Sequence, residues 1–260
     1  MDTKQIKTSS SFSMNHGCHE CSLSKLCIPI AVEAADIDRL EEIIRQGRIL
    51  SRGDYIFEQQ APFKSCYAVR SGAIKTFTVS EDGEEQVTGF YLPGEMIGLD
   101  SVSMKEYSCS AVALERTTVC EIPLNKFEEL STQIPSLQHH FFSLMSKEIQ
   151  ESRQLTMLLS KNTAEERIAS LLLSLSSRFQ RRKLSGTEFK LPMSRSDIAN
   201  YLGLAVETVS RVLTRFQQQS LINVQGRDVH ILNLEGLQSN LKEVKCGEHR
   251  SSVAGQRFTG

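Results

Sequence analysis

The segment from Thr163 to Ile231 constrains the fold more than any other part of the chain. Thr163 stands three residues before Glu166, the spacing of a capping box, and this predicts a helix over about 163–180. A strand candidate, 188–191, follows. Ser194 can cap a helix over Arg195–Leu202, and Tyr201-Leu202-Gly203-Leu204 leads into a second helix over Ala205–Gln219. Two short helices joined by a tight glycine-containing turn are a helix-turn-helix pattern. The run LINVQGRDVHIL then alternates around Gly226 and predicts a hairpin, the wing of a winged helix. Val206, Val209 and Val212 are β-branched, but packing overrides so weak a propensity.

Charge assigns this segment a partner. The chain of 260 residues has a formal net charge of −1, but the balance is uneven. Residues 1–160 hold 15 basic and 22 acidic residues, whereas residues 161–230 hold 11 and 6. An acidic front and a basic back predict that only the back meets a polyanion. The second helix of the pair presents Glu207, Thr208, Ser210, Arg211, Thr214 and Arg215. Arg reads guanine O6 and N7, Glu accepts from cytosine N4, and Ser or Thr meets base edges or phosphate. Ser194, Arg195 and the basic cluster Arg178, Arg181, Arg182, Lys183 are expected at phosphates. The partner is therefore double-stranded DNA.

Upstream the texture changes. Residues 33–46 space Ile37, Leu40, Ile43 and Ile44 at helical intervals, with Gly47 as an expected stop. From Arg48 to Leu124, short β-branched and apolar runs alternate with turn signals such as Ser71-Gly72, Asp82-Gly83 and Pro93-Gly94, which reads as a sandwich or barrel. From Leu137 to Leu159 there is neither Gly nor Pro, and Phe141, Leu144, Met145, Ile149, Leu155 and Leu159 recur near one stripe. A helix of about 23 residues outreaches one small domain, so the stripe is expected to be a dimer seam. Ser152 lies within it, flanked by Glu148 and Glu151, which predicts weak and hence switchable association.

Seven cysteines remain: Cys18, Cys21, Cys27, Cys66, Cys109, Cys120 and Cys246. No run of apolar residues approaches the ~20 needed to span a bilayer, and residues 1–21 lack the apolar core of a secretory signal, so a cytoplasmic, reducing location is expected. Residues 1–15 are polar and expected to be disordered. Cys18-x2-Cys21-x5-Cys27 places three soft ligands in one loop, able to wrap zinc or an iron–sulfur cluster. The fourth ligand must come from elsewhere: Cys66, Cys109, Cys120, Cys246, His16 or His19. Spacing does not separate the two metals. A redox-active Cys18/Cys21 pair is a third reading, but the βαβ context of a thioredoxin-like enzyme is absent.

The segments Cys-x2-Cys-x5-Cys, AVRSGAIKTF, GEEQVTGFYLPGEMIGL, VCEIPL, LLSKNTAEERIA and MSRSDIANYLGLAVETVSRVLTRFQ together resemble the Crp–Fnr family of bacterial regulators, and within it the anaerobic regulators Fnr and Anr. The resemblance runs from about Cys18 to Leu234. It implies an α+β architecture: an N-terminal cluster-binding loop (1–30), an antiparallel β-barrel (jelly roll) sensor domain (31–135), a dimerisation helix (136–160), a winged helix-turn-helix domain (161–234) and a tail (235–260). It also implies a [4Fe–4S] cluster that forms without oxygen, promotes a homodimer and is converted by O2. The family's fourth ligand precedes a Glu-Ile-Pro segment, which here is Cys120, so the ligands carried over are Cys18, Cys21, Cys27 and Cys120. Cys66, Cys109 and Cys246 are left as bystanders. Glu207, Ser210 and Arg211 match the family's Glu-x-x-Ser-Arg, which implies a TTGAT…ATCAA palindrome.

Two departures qualify the resemblance. Where cyclic-nucleotide-binding relatives carry Arg-Ser-Ala, this chain has Cys109-Ser110-Ala111, and a neutral thiol cannot replace the contacts of Arg with phosphate, so no cyclic nucleotide is expected. At Ser152 the Fnr seam commonly has an acidic residue. Its replacement predicts that the cluster-free chain dimerises more readily than a typical Fnr. By resemblance, the acidic hairpin Glu81, Asp82, Glu84, Glu85 can touch RNA polymerase. No Ser-His-Asp order, P-loop or Rossmann glycine pattern is present, so the expectation is a regulator, not an enzyme.

Overall fold

The computed structural model describes residues 17–241. Two antiparallel four-stranded sheets build the N-terminal half. One has the order β1 (Arg45–Leu50), β8 (Thr117–Pro123), β3 (Ser65–Ser71), β6 (Met96–Ile97). The other has the order β2 (Tyr55–Phe57), β7 (Ser110–Ala113), β4 (Ile74–Val79), β5 (Glu85–Tyr91). Their inner faces bury Leu50, Phe57, Val69, Ile74, Ile97, Ala111 and Val119 in one core. This is the expected jelly-roll barrel.

The expected helix over 33–46 is shorter. It is α1 (Ile37–Ile43), preceded by a 3-10 turn at Ala34–Asp36. The chain has already entered β1 at Arg45, so Gly47 lies inside a strand instead of ending a helix. The register of β1 against β8 shifts between Gln46 and Ile49, and a bulge of this kind admits a glycine.

After α2 (Leu124–Gln133) the long helix α3 runs from Pro135 to Lys161, roughly 40 Å. Its proline sits in the first turn, where no backbone N–H is needed. A second core lies where α1, α2 and the start of α3 meet β3 and β8. It joins Ile28, Leu40, Ile122, Leu130 and Leu137, with Cys27 and Cys120 half-buried against it.

The C-terminal half is α4 (Ala164–Arg181), β9 (Glu188–Lys190), α5 (Arg195–Leu202), α6 (Val206–Gln218), β10 (Ile222–Gln225), β11 (Asp228–Ile231) and α7 (Leu234–Ser239). The expected capping box forms at Thr163, and Ser194 caps α5 with a second one. Glu166 N–H donates to the Thr163 hydroxyl and Asp197 N–H to that of Ser194, while each carboxylate accepts from the backbone N–H of its cap. Gly203 ends α5 in the left-handed region at φ 60°, which turns the chain into α6 at no steric cost. Residues 235–239, placed with the tail by sequence, belong to α7, in which Leu237 is fully buried. The core of this half packs Ile168, Leu172 and Leu175 of α4 against Val209, Leu213 and Phe216 of α6, and continues into Val87, Phe90 and Leu92 of the barrel.

Candidate functional site

The N-terminal loop is a chain of tight turns, and each of its cysteine carbonyls accepts a bond. Cys21 N donates to Cys18 O (3.3 Å), Ser24 N to Cys21 O (3.0 Å) and Ile30 N to Cys27 O (3.1 Å). Ile28 and Pro29 are buried, so the end of the loop is anchored in the second core immediately after Cys27. Cys120 reaches the same place from β8, where it lies between Gln46 of β1 and Ala68 of β3.

The four thiols share one neighbourhood. Burial pushes the Cys18 thiol up to about 12, and the nearby Cys120 and Cys21 sulfurs reinforce the shift. Burial does the same to Cys27, which also feels Cys120, Cys18 and Cys21. Cys120 is raised by burial, opposed by the Arg70 guanidinium. Arg70 on β3 acts on Cys18 too, and sequence reasoning missed it, because nothing local sets one strand arginine apart. Alone, Cys18, Cys27 and Cys120 are neutral thiols at pH 7. A cationic centre would take them as thiolates, and four soft donors from the loop and β8 have the chemistry of iron–sulfur ligands. Among the described residues, no three His, Cys, Asp or Glu side chains close to single-ion geometry.

Of the other candidate ligands, His19 is engaged elsewhere: its ring lies 2.9 Å from Asp38 and its backbone N–H donates to Glu41 (2.8 Å). Cys66 is buried on β3 and donates to Gly98 O at 3.6 Å. Cys109 is buried before β7, with Asp100 at 3.9 Å. Cys66 belongs to the same buried core against which Cys27 and Cys120 pack, whereas Cys109 lies in the core between the sheets. His16 and Cys246 lie outside the described residues.

The helix pair presents its polar face outward. Glu207, Ser210 and Arg211 on α6 are exposed, while Val209, Val212, Leu213 and Phe216 turn inward. Thr208 accepts from Arg211 Nη2 at 3.1 Å, so the arginine is held toward the N-terminal end of the helix, which enters the groove in helix-turn-helix proteins. Arg215 pairs with Glu165, tying α6 to the first turn of α4. Ser194 is occupied by its capping box, and Arg195 donates to Gly226 O in the wing turn (3.1 Å), so these two shape the reading face from within.

The basic cluster corrects an expectation. Arg178 and Arg182 do not face outward toward phosphate; they are buried against Glu95 of the barrel, their side chains 17% and 5% exposed. Arg181 and Lys183 remain exposed.

Helix α3 divides the predicted seam. Phe141 and Leu144 are half-buried against the chain's own second core, with the Phe141 and Phe127 ring centroids 4.9 Å apart and the rings tilted by 45°. Met145, Leu155 and Leu159 are half-buried, and Ser152 is exposed. Ile149 is 52% exposed; Phe142 (57%) and Met157 (46%) are exposed too, and sequence reasoning missed both. Tyr91 of β5 donates to Glu148 (2.8 Å), and Lys147 pairs with Glu151.

Residues 166–239 match the Crp-like helix-turn-helix domain and residues 48–133 the cyclic nucleotide-binding domain. The chain is 53% identical over 216 residues to the transcriptional activator protein anr of Pseudomonas aeruginosa, covering 83% of this chain and 88% of that one. It is 50% identical over 220 residues to the transcriptional activator protein FnrA of Stutzerimonas stutzeri, covering 85% and 90%. The solved structure of FixK2 from Bradyrhizobium japonicum superposes with a TM-score of 0.71 at 27% identity, covering 77% of this chain and 98% of that one. Among the described residues, no helix is long and apolar enough to cross a membrane. Barrel, long helix, winged helix and these relatives agree: the chain belongs to the Crp–Fnr family of transcriptional regulators.

Proposed function

We propose that this regulator is a cytoplasmic, oxygen-responsive transcription factor without catalytic activity, and that as a homodimer it reads a TTGAT-N4-ATCAA-like palindrome when a [4Fe–4S] cluster is held by Cys18, Cys21, Cys27 and Cys120. What supports this reading is that Cys18, Cys21, Cys27 and Cys120 stand near enough to act on one another electrostatically, in the chain that also exposes Glu207, Ser210 and Arg211. Bound there, such a cluster would supply a centre that reacts with O2.

The chain's own residues explain how that centre reaches DNA. Cys27 joins directly to Ile28, which lies in the second core with Leu137 of α3. Ordering the loop therefore bears on the root of the helix whose outer face carries Phe142, Ile149 and Met157. Pairing two such helices brings together two reading faces, as a palindrome requires. Glu81, Asp82 and Glu84 are exposed in the β4–β5 hairpin and offer an acidic surface to RNA polymerase. The barrel does not serve a cyclic nucleotide in this reading: Cys109 stands beside the carboxylate of Asp100, and Glu95 is already committed to two arginines.

The test is an absorption spectrum under argon and then in air, paired with binding to a TTGAT-N4-ATCAA duplex in each state. A brown protein that bleaches in air and then releases the duplex supports the reading. A colourless protein with one zinc, binding equally in both states, overturns it in favour of a same-fold regulator with structural zinc.

A further inference from the structure

The turn between β5 and β6 carries Glu95, whose carboxylate is surrounded by donors. Leu92 N–H (2.9 Å) and Arg178 Nε (2.9 Å) reach it, as does Arg182 Nη2 (2.7 Å), and Arg178 Nη2 makes a further contact. The same arginines grip the surrounding backbone. Arg178 Nη2 donates to Phe90 O (2.6 Å) and Arg182 Nε to Pro93 O (2.6 Å). Arg178 lies in the last turn of α4 and Arg182 is its C-cap, four residues on, so both reach the same side of the helix end. Helix α4 in turn packs against the reading helix α6 through Ile168, Leu172 and Leu175. The opposite side of the turn is covered by the cysteine loop: a Cβ on Gly94 would stand 3.1 Å from Leu26 Cβ.

We propose that Glu95 is a positioning residue for DNA recognition: by holding Arg178 and Arg182 it fixes the winged helix on the barrel and so sets the separation and rotation of the two reading helices in the dimer. The proposal rests on the dimeric DNA reading above. A buried carboxylate bonded by Arg178 and Arg182, with the exposed Arg181 farther off at 3.8 Å, has one good geometry, unlike the apolar contacts around it, which tolerate sliding. Burial disfavours the charged Glu95, but the two arginines outweigh it and hold the carboxyl at about 2, so the contact is fully charged at neutral pH.

The test uses the full chain and duplexes whose half-site gap is shortened or lengthened by one or two base pairs. Each base pair rotates the second half-site by roughly 35°, so a rigidly oriented dimer discriminates steeply. Glu95→Gln is expected to flatten that profile, losing between about twofold and thirtyfold of the discrimination, and Glu95→Asp to recover part of it. A uniform loss of affinity at every gap, or an unchanged profile, overturns the proposal. Should Glu95→Gln fail to fold, Arg182→Lys keeps the charge while giving up the fork, and is expected to flatten the profile less. Calorimetry without DNA is the second readout: the wild type is expected to unfold in one transition and Glu95→Gln in two. A single transition in both also counts against the proposal. If the wild type binds no duplex, the DNA-reading proposal fails, and calorimetry alone decides whether Glu95 joins the two domains.

Discussion

Lys75 of β4 places its ammonium 3.0 Å from Asp197, the residue that closes the capping box of α5. One carboxylate thus starts the first helix of the helix-turn-helix and pins it to the barrel. Beside it, Asn200 accepts from Val87 N–H (2.6 Å) and donates to Glu85 O (2.7 Å), pairing with the open edge of β5 as a neighbouring strand would. Burial raises the Asp197 carboxyl, but bonds from Ser194 and Lys75 outweigh it and hold it below its ordinary 3.8. Burial likewise opposes the Lys75 charge, yet Asp197 and Glu85 keep the ammonium above its ordinary 10.5. The stabilisation is therefore complete between those two values. It fades as pH falls through the depressed carboxyl pKa or rises through the elevated amine pKa. Lys75→Met is expected to cost about 1–2 kcal/mol in urea unfolding at pH 7, because the pair is mostly buried. The difference from wild type should shrink below pH 3.8.

Acid should separate the domains through Glu95. Its carboxyl drops from 4.5 to about 2 on folding, so its contribution is whole above 4.5 and is lost as pH falls toward 2. The shift is worth on the order of 3 kcal/mol for so buried a group. Calorimetric scans at stepped pH should show one transition splitting into two within that window. In Glu95→Gln the splitting should be present at neutral pH and insensitive to acid.

Local signals carried far in this sequence and long-range ones did not. Thr163-x-x-Glu166 was legible because a capping box is complete within four residues, and Ser194 was legible as a cap, although its box partner Asp197 was not read. The left-handed Gly203 and the wing were legible for the same reason. Arg178 and Arg182 were misread as phosphate ligands because their partner, Glu95, lies 83 and 87 residues away with no local mark. Ile43-Ile44 extended the helical reading past Ile43, although pairing with β8 claims the chain from Arg45. The three loop cysteines were visible as a motif, whereas Cys120 needed a family resemblance to be chosen among the remaining candidates.

That choice can be tested directly. Cys120→Ala should abolish retention of iron and acid-labile sulfide by protein purified without oxygen, as should alanine at Cys18, Cys21 or Cys27. Cys66→Ala and Cys109→Ala should retain both, at the stability cost of emptying a small buried space, about 1 kcal/mol each. If iron binding survives Cys120→Ala but not Cys66→Ala, the proposed ligand set is wrong.

Arg211→Ala removes an exposed side chain, so folding should change by no more than about 0.5 kcal/mol. DNA binding should weaken by about 1–3 kcal/mol, with discrimination relaxed at one base pair per half-site. Thr208→Val should act more mildly, since it only frees the guanidinium that Thr208 holds. Competition binding with duplexes varied at each position measures both effects.

Helix α3 offers the sharpest separation between folding and assembly. Ile149 is 52% exposed in the single chain, so Ile149→Glu should leave monomer stability nearly unchanged while setting two carboxylates against the seam. It should be monomeric in sedimentation whether or not iron is bound. Ser152 is also exposed, and the two acids beside it are engaged, Glu148 by Tyr91 and Glu151 by Lys147. The seam therefore lacks a free carboxylate near Ser152, and iron-free wild-type chain should show measurable dimer at micromolar concentration. Ser152→Asp should weaken that dimer roughly fivefold, the effect of two like charges about 4 Å apart in water. A strictly monomeric iron-free wild type would mean that the seam is held apart by something other than charge.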